Sequence, residues 1–278
     1  MTDHLQERVI IVTGAGGGFG REICTLAAGR GAHIVGADID GDGLAVTVEG
    51  ILADGGSAAG RLADVRSAAA MEDLVAFAVS TFGRVDVLVN NAGTMPLAFF
   101  ADHARAREAW DRCIDINLKG VLNGITAVHD QMIEQGRGHV VNISSIYGNV
   151  ATIGAGVYTA TKAAVNILSD TLRAESQGRI KVTNVKPTGV PGTGLGGGMI
   201  NGAGIVGILG QNLDDYIATI GAAMAGELPP ERTDPDSIGY WAITPGELAE
   251  AVVHAIDQPW GISISDITVR ATGDLFLF

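Results

Sequence analysis

The chain has 278 residues, of which 47% are hydrophobic, 5% are aromatic and 40 are glycine, and its formal net charge is −13. That apolar content is enough for one substantial core and too high for a disordered chain. The negative charge, with no basic run to offset it, argues against a nucleic-acid partner. No apolar stretch reaches the ~20 residues that a membrane span requires. The opening MTDHLQERVIIVTG carries charges up to Arg8 instead of a signal-peptide pattern, so a cytoplasmic location is expected.

In chain order, the β-branched run at 8–14 predicts a first strand, and TGAGGGFG then leads into a helix over 21–30. Strands are predicted at 33–39, 60–65, 85–93, 139–145, 180–187 and 266–273, and helices at 68–81, 105–135, 158–177 and 247–258. Several strands are apolar on both alternations, as strands covered on both faces must be. The alternation predicts a doubly wound (Rossmann) α/β fold: one domain built on a seven-stranded parallel sheet with helices on both faces. From 188 to 243 the rhythm breaks into a long Gly-rich excursion mixed with Leu, Ile and Met. Excursions of this length in a compact domain are commonly functional, and the apolar content predicts a lid over a substrate.

The glycine loop places Gly14, Gly18 and Gly20 between the first strand and the first helix. There an absent Cβ lets the backbone approach a pyrophosphate at the positive end of a helix. The second strand ends at Asp38, 18 residues beyond Gly20, where a carboxylate can accept from an adenosine ribose and would repel a 2′-phosphate. No Arg or Lys lies in the loop or directly after Asp38 to offset it, which selects NAD over NADP. Asp64 closes the third strand and could accept from an adenine amino group. NNAG (90–93) brings polar amides and a glycine to the same sheet edge.

In GVYTATK, Tyr158 and Lys162 lie four residues apart, hence on one helix face with Cβ atoms ~5–6 Å apart. A nearby ammonium favours the phenolate, bringing the phenol toward a useful acid/base range. Ser145 ends the preceding strand, where its hydroxyl can donate to an oxygen that gains charge.

As a set, TGAGGGFG, Asp64, NNAG, Asn117 in DINLKG, the Ser145–Tyr158–Lys162 spacing and the turn at Pro187 resemble the short-chain dehydrogenase/reductase family over nearly the whole chain. The resemblance implies Tyr158 as acid/base, Ser145 orienting the substrate, and Lys162 binding the nicotinamide ribose and depressing the tyrosine. It implies that Asn117 holds a helix irregularity and a water in a proton relay. Cofactor contacts are implied for Gly14, Gly18, Phe19, Gly20, Asp38, Ile39, Asp64, Val65, Asn91, Ala92, Gly93, Tyr158, Lys162, Pro187, Val190 and Thr193. The implied reaction is NAD-dependent interconversion of a secondary alcohol and a ketone, commonly in a homotetramer (or a dimer). In PTGVPGTG, Thr188 stands where the family has glycine and Gly192 where it has threonine, so Thr193 is expected to take that contact, shifted by one. Two other classes remain open: an isomerase or dehydratase that retains NAD, and a dinucleotide sensor.

No metal is expected. Cys24 and Cys113 read as buried thiols and the six histidines as structural or surface groups. Ser145 lacks the GxSxG elbow of a hydrolase. TMPLAFF (94–100) and the excursion suggest an apolar, alicyclic or aromatic substrate. The tail GDLFLF is expected to pack on a neighbouring subunit, the alternative being its own.

Overall fold

Seven strands are hydrogen-bonded in the order β3-β2-β1-β4-β5-β6-β7, and every pair is parallel. They are β1 (Val9–Thr13), β2 (His33–Asp38), β3 (Ser57–Leu62), β4 (Val87–Asn90), β5 (Gly138–Ile143), β6 (Ile180–Pro187) and β7 (Asp266–Val269). This computed structural model describes residues 4–191 and 193–278. The strand alternation explains the two-sided apolar pattern. Ile10 and Val12 face one layer, containing Ile23, Leu44 and Val252, while Val9 and Ile11 face the other, containing Leu74, Val128 and Val165. The first layer is built by α1 (Gly18–Gly29), α2 (Gly41–Ala53) and α10 (Pro245–Ile256). The second is built by α3 (Ala68–Phe82), α5 (Gly120–Glu134) and α6 (Gly156–Glu175).

The chain runs outward from β1 to β3 and then returns to lay β4 against the other side of β1. Loops leaving β1 and β4 therefore diverge and open a crevice at the C-terminal sheet edge, where such folds bind ligands.

Two predicted elements are placed differently, and one helix was not foreseen. β3 begins three residues earlier than expected, because it is an edge strand with half-exposed side chains and its register is set by pairing His33 with Ser57. Asp64 and Val65 consequently lie in the loop beyond it. The predicted helix over 105–135 is interrupted: α4 (His103–Ile114) passes through a π-helical segment, Asp115–Lys119, into α5. Helix α2 was absent from the prediction, since three glycines and a Val46-Thr47-Val48 run lower its helix propensity. Asp40 caps it by accepting from the Gly43 N–H at 3.1 Å.

The excursion after β6 is largely helical. Besides short 3₁₀ turns it contains α7 (Val206–Leu209), α8 (Leu213–Ala225) and α9 (Pro230–Thr233). Ile208 and Leu209 are buried in a cluster with Leu97, Tyr147 and Tyr158. The tail joins the same cluster on its own chain. Leu275 and Phe276 pack there, the Leu277 N–H donates to the Ile208 carbonyl at 3.1 Å, and Phe276 meets Tyr216 edge-on at 5.6 Å. The expectation that the tail seats on a neighbour is thus corrected for Leu275 and Phe276. The apolar side chains of the segment after β6 offer it a closer surface.

Candidate active site

Gly14 and Gly18 adopt φ values of +68° and +51°, a left-handed backbone that favours glycine. A Cβ on Gly20 would overlap the Gly14 carbonyl oxygen, and one on Gly14 would lie 2.9 Å from Asn91 Nδ2. Helix α1 thus packs directly on the loop. Its first turn has no side-chain cap and no acidic residue, so its amides are left for an anion. Asp38 braces the loop from the side: its carboxylate accepts from the Gly16 N–H at 2.7 Å and the Asp40 N–H at 2.9 Å.

A cavity of about 390 Å³ opens in front of this cradle. Gly14, Gly18, Phe19, Asp38, Ile39, Asp64, Val65, Asn91, Ala92, Gly93 and Thr193 all line it, which brings together most of the predicted cofactor residues. Thr193 faces Gly18, whose Cβ position is 4.0 Å away, while Gly192 lies outside the described residues. Gly20 serves beneath the loop, Pro187 ends β6, and Val190 packs toward the α1–α10 layer.

Sequence reasoning missed Arg66 and Arg112, which also line the cavity. Both carboxylate oxygens of Asp64 accept from Arg66, at 2.6–2.9 Å. This pairing holds the Asp64 carboxyl below its ordinary range. The carboxylate expected to meet adenine is therefore engaged by a cation two residues on, and that local Asp-x-Arg spacing was the available signal.

Ser145, Tyr158 and Lys162 lie behind the Gly93 wall. Ser145 follows β5 and caps a 3₁₀ turn, its Oγ accepting from the Tyr147 N–H at 3.2 Å. Tyr158 sits in the first turn of α6, and Lys162 one turn later; all three are at least 95% buried. The Lys162 Nζ donates to the Ile143 carbonyl at 2.7 Å and lies 3.8 Å from where a Gly93 Cβ would be. It is 5.8 Å from the Tyr158 ring centroid.

Here the electrostatics differ from expectation. Burial pushes the Tyr158 phenol up to about 12, with nearby Ser145 only partly offsetting it. Burial likewise pushes the Lys162 ammonium down to about 8. In the protein alone, desolvation outweighs any help from the lysine.

Asn117 lies in the π segment, where the irregularity was expected. Its Oδ1 accepts from the Thr94 N–H at 2.9 Å. Its Nδ2 donates to the Thr94 carbonyl at 2.8 Å and reaches Thr161 Oγ1 at 3.3 Å. The π turn aims this amide inward, tying the loop after β4 to α6 beside Tyr158. No cluster of three metal-ligating side chains occurs among the described residues, and no helix there is long and apolar enough to cross a membrane.

Comparison with known proteins agrees with this geometry. The sequence pattern of the short chain dehydrogenases matches residues 8–206. An uncharacterized oxidoreductase of Listeria monocytogenes is 32% identical over 271 residues, covering 96% of this chain and 98% of that protein. A short-chain dehydrogenase/reductase from Burkholderia phymatum, solved in complex with NAD, is 26% identical with a TM-score of 0.74, over 96% of this chain and 90% of that one. A metagenomic short-chain oxidoreductase in complex with NADP is 26% identical with a TM-score of 0.72, over 95% and 98%. The chain belongs to the short-chain dehydrogenase family.

Proposed function

We propose that this protein is an NAD-dependent oxidoreductase that interconverts a secondary alcohol and a ketone. The observation that carries the reading is buried Tyr158 with the Lys162 Nζ 5.8 Å from its ring centroid, that ammonium in turn standing behind Gly93 on the wall of a glycine cradle shaped for a pyrophosphate. The cradle fits a dinucleotide: an uncapped helix N-terminus faces glycines whose Cβ atoms would fill the space.

A bound nicotinamide would accept or deliver the hydride. The protein's own residues handle the oxygen. Ser145 orients it by hydrogen bonding, and Tyr158 exchanges the proton with it. Lys162, beside Gly93, is placed to hold the nicotinamide ribose, and Asn117 positions the loop and helix around the proton path. With its phenol neutral at ordinary pH, the free protein is set to donate a proton, the state that ketone reduction uses.

NAD is favoured over NADP because the Asp38 carboxylate lines the cavity, while the charge of Arg66 is already matched by Asp64. The segment over 188–243 acts as a lid on an apolar substrate, since Ile208, Leu209 and Leu97 are packed on Tyr158. Exposed Leu122 and Ile167 on α5 and α6 support a homotetramer, or a dimer. A cytoplasmic location is part of the same proposal.

The test is absorbance at 340 nm with NAD, and then NADP, against cyclic, aromatic and aliphatic secondary alcohols and their ketones. Turnover with NAD is expected, and Tyr158→Phe should lower it by about 10²–10⁴-fold with NADH affinity retained. Tight NADH binding without turnover of any compound would favour the sensor or isomerase readings instead.

A further inference from the structure

Tyr147 presents a buried phenol with no stated task. Its side chain packs in one cluster with Tyr158, Leu97, Ile208 and Leu209, and its hydroxyl oxygen has no hydrogen-bond partner. Native proteins leave few buried polar atoms unpaired, and those they keep call for an explanation. A phenylalanine would fill the same space without the orphaned hydroxyl, so packing alone does not account for the tyrosine.

The neighbouring polar groups are committed elsewhere. The Ser145 Oγ accepts the Tyr147 backbone N–H. The Asp274 carboxylate accepts from Arg270 at 2.5 Å and 3.1 Å, from Thr188 Oγ1 at 3.2 Å and from the Phe276 N–H at 3.2 Å. Burial first, and Asp274 second, raise the Tyr147 pKa, while Arg270 lowers it. The hydroxyl therefore sits among the apolar side chains of the cluster that holds Tyr158, two residues along the chain from Ser145.

Resting on the alcohol–ketone reading above, we propose that the Tyr147 hydroxyl is the specificity contact for a second, uncharged oxygen on the substrate. The substrate class is then small hydroxyketones and diols on an apolar frame. The frame meets Leu97, Ile208 and Leu209, the reacting oxygen meets Ser145 and Tyr158, and the second oxygen meets Tyr147. The Asp274–Arg270 pair nearby is internally neutralised, so it supplies no free cation to offset the burial of a carboxylate or phosphate in that second position.

The experiment compares full-length wild type and Tyr147→Phe on matched pairs. These are cyclohexanol against 1,2- and 1,3-cyclohexanediol with NAD, and cyclohexanone against 2- and 3-hydroxycyclohexanone with NADH. Wild type should favour at least one dioxygenated compound by about tenfold or more in kcat/KM. The variant should lose that preference, mainly through KM, and keep its rate on the mono-oxygenated partners within about threefold. NADH affinity and thermal midpoint should be unchanged or improved, since the variant removes an unpaired hydroxyl. A preference that survives in the variant, or rates that fall in parallel on both members of each pair, overturns the Tyr147 contact and leaves the alcohol–ketone reading standing. If wild type binds NADH and turns over none of these compounds or the broader panel, the alcohol–ketone reading falls and the contact with it.

Discussion

At the scale of single residues, the site rests on two kinds of constraint, close approach and desolvation. Gly20 shows the first. A methyl group there would overlap the Gly14 carbonyl, which is backbone and cannot swing aside, and would also crowd Asn91 Nδ2. Gly20→Ala should therefore lower stability by about 1–3 kcal/mol and weaken NADH binding, read by urea unfolding and fluorescence titration. Wild-type values for both would contradict the packing described. Tyr158 and Lys162 show the second. Their spacing alone located them, because four residues apart means one helix face whatever the tertiary fold. Their proton affinities were not legible, since these depend on how completely the strands and the segment after β6 exclude water. Tyr147 escaped for the same reason: only the folded cluster reveals a hydroxyl without a partner.

At the scale of elements, legibility followed burial. Strands β1, β4, β5 and β6 are covered on both faces and carry apolar residues on both alternations. Strand β3, at the edge with mixed exposure, gave a signal three residues out of place. Helix α2 was hidden by its own glycines and β-branched residues, and it forms through the Asp40 cap and the burial of Leu44 and Ile51. The break between α4 and α5 leaves no trace in the apolar pattern, and only the family resemblance around Asn117 pointed to it. It persists because Asn117, in the π segment, satisfies both the N–H and the carbonyl of Thr94. Asn117→Ala would strand those two groups, and we expect a loss of about 1–3 kcal/mol in urea unfolding. A variant as stable as wild type would mean that the clamp contributes little.

At the scale of the whole molecule, buried titratable groups set the response to alkali. Lys162 is pushed down to about 8, as is half-buried Lys181, which counts for less. Their protons bind more readily to the unfolded chain, so this contribution raises stability as pH climbs from about 8 toward the ordinary lysine value of 10.5. Cys24, Cys113 and Tyr158 act oppositely. Burial lifts them to about 12, about 11 and about 12, so the fold keeps protons that the unfolded chain releases above pH 9.0 for the thiols and 10.0 for the phenol. The two tendencies oppose each other near pH 9–10, and only the destabilising one remains beyond about 10.5. The urea midpoint should stay level around pH 9 and fall steeply above 10.5; a midpoint still rising at pH 11 would contradict the burial of these groups. The overall sheet was legible because strand–helix alternation dictates it. The tail's position was not, since its apolar residues fit either a partner or the lid, and only the folded surface decides between them.

The union of the tail with the segment after β6 bears on how the protein is made. Thr188, just past β6, hydrogen-bonds to Asp274, 86 residues later, and Leu277 holds Ile208. The glycine cradle, by contrast, is complete once β4 has paired with β1. During synthesis, then, the dinucleotide cleft is assembled from early segments, while the wall over Tyr158 waits for residues translated long afterwards. A nascent chain halted before β7 would hold the glycine cradle while the cluster around Tyr158 still lacked Leu275 and Phe276.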